Sequence, residues 1–142
     1  MFSRIYGAVL FGLNGCLITV ETDIANGLPS FDIVGLATVA VKEAKERVRT
    51  AVKNSGLAFP VRRITVNLAP ADMKKEGAAL DLPIAVALLV SSGQIAPVSC
   101  EDSVFIGELS LDGLIRPTVG VLSMVIAAKE RGMRTVYVSP EN

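Results

Sequence analysis

From Ala78 to Ser92, AALDLPIAVALLVSS, the chain is nearly all Ala, Leu, Ile and Val. A helix without a polar stripe is a buried helix, so this stretch is expected at the centre of the fold, with its N-terminus at the surface. Pro83 is tolerated near a helix start, where the first N–H groups lack intrahelical partners. Asp81 suits the positive end of the helix dipole, and Gly93 reads as a C-terminal stop. Upstream, Ile64–Leu68 has the β-branched alternation of a strand, which Pro70 ends for want of an N–H. Between strand and helix, Asp72–Gly77 is a polar loop carrying Lys74, Lys75 and Glu76.

The pattern elsewhere predicts shorter elements. Ile5–Phe11 and Cys16–Thr22 read as strands around a turn at Gly12, Asn14 and Gly15. Asn26-Gly27-Leu28-Pro29 is a hairpin signal leading into a third strand, Ser30–Val34, so the opening is expected to be an antiparallel meander. Thr38–Asn54 predicts a helix whose inner face is Val41, Ala44, Val48, Ala51 and Val52. Its other face carries Lys42, Glu43, Lys45, Glu46, Arg47, Arg49 and Lys53, with Glu43 and Arg47 as an i,i+4 pair; mixed signs make it a solvated face. Val104–Leu111 predicts a strand that turns at Asp112-Gly113 into Leu114–Arg116. Val121–Arg131 predicts a helix with Leu122, Val125, Ile126 and the stem of Lys129 on one face, and Thr135–Val138 a last strand. This order implies an α/β (α+β) two-layer sandwich with a mixed sheet.

Composition narrows the chemistry. The 142 residues suit one domain, and 51% hydrophobic content supports a sizeable core. The net charge is zero, so the whole domain has no electrostatic bias toward nucleic acid or membrane. There is no histidine, which removes the commonest general base and metal ligand. Cys16 and Cys100 have no metal-ligand spacing and read as free thiols of a cytoplasmic protein. No signal peptide fits the N-terminus, and the longest apolar run, Leu82–Val90, is too short to span a bilayer.

Without histidine, a Ser–Lys pair is the main route to an activated nucleophile. The turn Lys75-Glu76-Gly77-Ala78-Ala79 has the architecture of an oxyanion-binding helix start but contains no Ser, Thr or Cys. Phosphate binding there is conceivable, yet no GxxxxGK[ST] loop occurs in the chain. The carboxylates Asp23, Asp32, Asp72, Glu76, Asp81 and Glu108 are scattered and suggest caps or turns rather than a metal site.

Three segments carry a resemblance: FDIVGLATVAVKEAKERVRTAVKNSG, RITVNLAPADMKKEGAALDLPIA and GELSLDGLIRPTVGVLSMVIAAKERG. In that order they resemble the N-terminal domain of the ComM/YifB family, often labelled magnesium-chelatase-like, from about Tyr6 to Asn142. That domain is similar to the proteolytic domain of Lon, which implies the ribosomal protein S5 domain 2-like fold. Laid on the Lon motifs, the serine nucleophile falls on Ala79 and the lysine on Leu122, so the resemblance implies no catalytic residue, cofactor or metal in this chain. In the family this domain precedes an AAA+ ATPase module that carries the ATP and Mg²⁺ sites. The resemblance thus implies an N-terminal fragment of a hexameric protein linked to DNA branch migration and recombination of incoming DNA in natural transformation. The expected partners are its own AAA+ module, neighbouring subunits and DNA, with no membrane. The alternatives are a Lon-like peptidase with an unrecognised nucleophile and a magnesium-chelatase-type subunit. Any DNA or subunit contact is expected to use Arg62, Arg63, Lys74 and Lys75, whose two pairs lie at opposite ends of the central strand, about 15–20 Å apart.

Overall fold

The computed structural model describes residues 1–142. The first two strands, β1 (Phe2–Phe11) and β2 (Asn14–Ala25), form a long antiparallel hairpin in register from Phe2↔Asp23 to Phe11↔Asn14. The expected meander stops there. The third strand, β3 (Ser30–Val34), pairs in parallel with β4 (Arg63–Ala69), and β4 pairs antiparallel with β2, so β4 lies between β2 and β3. The loop Asn26–Pro29 therefore skips one place in the sheet, about 9.6 Å at two strand spacings, a reach that four residues cover easily. Burial explains the exchange. Ile64, Val66 and Leu68 of β4 are wholly buried, whereas β3 buries only Phe31 and Ile33 and suits an edge.

The six-stranded mixed sheet has the order β3-β4-β2-β1-β5-β8, where β5 is Ser103–Phe105 and β8 is Thr135–Tyr137. The expected strand Val104–Leu111 breaks after β5. The Ile106 N–H still donates to Tyr137 O of β8 at 2.9 Å, but the Gly107 N–H turns to Ala79 O at 3.1 Å, which draws the chain out of the sheet. It resumes as a separate hairpin of β6 (Glu108–Leu109) and β7 (Ile115–Arg116).

One face of the sheet is covered by two helices, α2 (Ala44–Asn54) and α3 (Asp81–Ser91). The single helix expected over Thr38–Asn54 is broken: α1 (Val39–Lys42) ends at Glu43 and α2 begins afresh, with Thr38 Oγ1 accepting from the Val41 N–H as the α1 cap. Every residue of α3 is buried, as its unbroken apolar pattern requires. The serine at its end is tied down, Ser91 Oγ lying 2.6 Å from Ser3 Oγ and donating to Thr22 O at 3.2 Å.

The last helix, α4 (Val121–Glu130), covers part of the opposite face. Its inner residues are Met124, Ala128 and the half-buried Val121, set against Ala8, Val104 and Ile106. This corrects the expected face. Leu122 and Ile126 point outward, at 75% and 49% exposure. Both faces of this helix are apolar, so the period permits either; small residues decide it. A Cβ on Gly15 of β2 would lie 2.3 Å from Ser123 O, so only glycine admits this close approach of backbones. Both cysteines are free, Cys16 half-buried and Cys100 buried, and no helix is long and apolar enough to cross a membrane.

Candidate functional site

The loop between β4 and α3 shapes one side of a cleft of about 680 Å³, within the usual range for ligand sites. Glu76, Gly77, Ala78 and Ala79 form that side; Val9, Leu10 and Gly12 of the first hairpin, Glu108, and Pro117–Val119 with Met124 complete it. Ala79, the position aligned with a protease serine, lines the cleft as a buried methyl at 7% exposure. Leu122, aligned with the lysine, is not in the wall and faces solvent. The wall carries one hydroxyl, Thr118, whose Oγ1 is buried without a hydrogen-bond partner. Its two carboxylates each face a cation: Glu76 lies 3.4 Å from Lys74 and Glu108 3.8 Å from Arg116. No lysine lines the cleft, so no side chain there can take a proton from Thr118 in the manner of a Ser–Lys pair. No three His, Cys, Asp or Glu side chains cluster anywhere in the chain.

The basic residues singled out in the sequence separate in the fold. Lys74 is exposed in the loop, whereas Lys75 is wholly buried, which removes it from any surface contact. Its Nζ donates to Gly35 O at 2.8 Å and to Pro70 O. Its backbone N–H donates to Leu36 O and its carbonyl accepts from the Thr38 N–H, as a strand-like bridge. Lys75 thus clamps the β3–α1 loop to the loop after β4. The approach is close enough to require Gly35, which has φ +106° and where a Cβ would lie 2.2 Å from Leu68 O. Burial pushes the Lys75 ammonium below its ordinary pKa, with Asp72 opposing. Arg62 and Arg63 remain exposed at the other end of β4, and Arg62 sits with Arg49 and Lys53 rather than with the loop lysines.

A second buried ionic group was not legible as such. Asp81, 1% exposed at the start of α3, accepts from Arg47 Nε at 2.6 Å, from Arg47 Nη2 at 3.0 Å and from the Leu109 N–H at 3.1 Å. Arg47 also donates to Ala40 O, so the group joins α1, α2, α3 and β6 beside the cleft. Arg47 therefore belongs to this fork and not to the expected Glu43 pair. Burial pushes the Asp81 carboxyl up against the opposing pull of Arg47 and the Leu109 N–H, while its hydrogen bond to Asp81 raises Arg47 further. The available signal was an acid set among apolar residues at a helix start, which demands a partner.

A mixed α/β sandwich with a cleft at the start of α3 defines the class. Residues 20–142 match the protein-family model described as subunit ChlI of Mg-chelatase. The chain is 48% identical over 131 residues to the uncharacterized protein YifB of Salmonella typhimurium, covering 92% of this chain and 26% of that protein. It is 40% identical over 138 residues to the competence protein ComM of Haemophilus influenzae, covering 97% and 27%. A weaker similarity, 26% over 143 residues, covering 96% of this chain and 18% of the relative, is to Lon protease of Mycolicibacterium smegmatis. The chain therefore belongs to the Mg-chelatase-like ComM/YifB family, and it spans about a quarter of the length of the YifB and ComM relatives.

Proposed function

We propose that this chain is a non-catalytic N-terminal accessory and assembly domain of a cytoplasmic ComM/YifB-type AAA+ ATPase acting in DNA branch migration during recombination of incoming DNA. The observation that carries the non-catalytic part is the cleft: a methyl group at Ala79 where a nucleophile would stand, and no lysine within the wall. The link to incoming DNA rests on the family and on the relative named as a competence protein. ATP and Mg²⁺ are then bound by the AAA+ module of the longer protein, and the partners are that module, neighbouring subunits of a hexamer and DNA. The test deletes residues 1–142 from the longer protein and measures ATP hydrolysis and branch migration of a synthetic four-way junction. The expected result is retained hydrolysis with impaired branch migration. Unimpaired branch migration overturns the accessory role, and labelling of this chain by a serine-reactive probe together with casein cleavage overturns the non-catalytic one.

A further inference from the structure

At the β3–β4 end of the sheet, away from the cleft, α2 and the loop before β4 enclose a cavity of about 190 Å³ lined by Pro29–Phe31, Arg49, Lys53 and Phe59–Arg62. Three of the lining residues are cationic and none is anionic. Arg49 Nη1 donates to Glu46 at 2.9 Å outside the wall, while Lys53 and Arg62 have no carboxylate within 4 Å. In a chain of zero net charge, such a cluster is a local positive field, only one of whose three cations, Arg49, is paired within the fold.

We propose that this cavity binds a phosphodiester group of a DNA strand. The volume holds about six waters at roughly 30 Å³ each, room to seat one tetrahedral oxyanion in a pocket that opens to solvent. The aromatic floor selects the mode. Arg49 lies over the Phe59 ring at 5.4 Å, and Phe31 is buried with its ring 5.7 Å from that of Phe59. With Phe31 buried and Arg49 lying over Phe59, the wall presents cations rather than a free ring, so the site grips backbone and reads no sequence. The half-buried Phe59 instead holds the Arg49 guanidinium in place, and Lys53 of α2 and Arg62 of the loop before β4 complete the cationic lining. Arg62 also lines an adjoining cavity of about 290 Å³ with Ser91, Ser92 and Gln94, so a strand can run on past the first phosphate.

The choice of polymer rests on the DNA-remodelling reading above; the anion site itself rests on the cation cluster. The experiment is a titration of the isotopically labelled 142-residue chain with a 20-nucleotide single strand, with poly-glutamate of equal charge, and with inorganic phosphate, followed by amide chemical shifts. DNA is expected to move Ser30, Arg49, Lys53, Val61 and Arg62 preferentially. Lys53→Gln with Arg62→Gln, both at exposed positions, is expected to abolish those shifts, and the slope of log affinity against log salt is expected to fall by about 0.7 for one lost single-strand phosphate. DNA shifts elsewhere, unchanged in the variant, overturn the site and leave the DNA-remodelling reading standing. Poly-glutamate or free phosphate moving the pocket as strongly as DNA overturns the polymer and removes this support for that reading. No pocket shift with DNA at low salt overturns the proposal outright.

Discussion

Substituting Asp81→Asn tests the buried fork that joins α1, α2, α3 and β6. The carboxylate is 1% exposed and accepts three hydrogen bonds, two from Arg47 and one from the Leu109 N–H. Asparagine has nearly the same shape but a single oxygen and no charge, so at least one donor loses its acceptor. Breaking a fully buried pair by removing one partner costs about 3–5 kcal/mol. The Arg47 side chain keeps 21% exposure and recovers part of its hydration, so the expected loss is about 2–3 kcal/mol. Arg47→Met leaves the acid with only the Leu109 N–H and should cost a similar amount. In the double variant neither charge remains, and the loss should fall short of the sum of the single losses by about 1–3 kcal/mol. The assay is urea unfolding by circular dichroism at pH 7, accepted where the m-value is unchanged. Faster hydrogen exchange at the Leu109 amide in Asp81→Asn would place the opening at β6. Single losses that add to within about 0.5 kcal/mol would refute the coupling and make Arg47 and Asp81 independent contributors.

Leu88 is 1% exposed in the middle of α3, so Leu88→Ala should cost about 2–5 kcal/mol in the same assay; under about 1 kcal/mol would mean that α3 is peripheral. Lys75 has a folded-state pKa below its unfolded one. The folded state therefore binds fewer protons, and stability rises with pH through the window just below the ordinary lysine value of about 10.4. Wild type should gain stability relative to Lys75→Met across that window, measured by unfolding at paired pH values; a constant difference would show that burial does not tax the charge. With no phosphate loop, calorimetric titration of the chain with ATP and Mg²⁺ should give no heat of binding, and a micromolar dissociation constant would contradict this.

Much of the fold is readable from patterns that depend on near neighbours. The fully apolar α3 announces its own burial, Pro70 ends β4 where expected, and the first hairpin follows from its turn residues. Misreadings arise where the deciding partner is distant in sequence. The Asn-Gly turn signals a local hairpin, but the better-buried β4 takes the place beside β2. In α4 two apolar faces compete, and Gly15 selects the face that brings Ser123 against β2. Lys75 sits in a polar loop and reads as solvated; only the carbonyls of Gly35 and Pro70 make its burial tolerable. Arg47 likewise has a carboxylate four residues away in Glu43, yet binds one from α3. Within the candidate cleft, the turn Lys75–Ala79 is readable as the approach to α3, while the outward turn of Leu122 required the packing of α4.

The place of β4 between β2 and β3 has a consequence for how the chain matures during synthesis. The first hairpin closes as soon as residues 2–25 have emerged, but Phe31 and Ile33 then appear with their proper neighbour not yet made. Until Arg63–Ala69 arrives, the free flank of β2 and the apolar side of β3 are exposed together, and the turn residues between them favour the wrong union. Native topology demands that this provisional pair stay open or come apart so that a later segment can thread into the gap. Such late, long-range pairing slows folding and leaves an adhesive edge in the interim. A nascent chain paused before Ala69 is thus the form of this protein most in need of a chaperone.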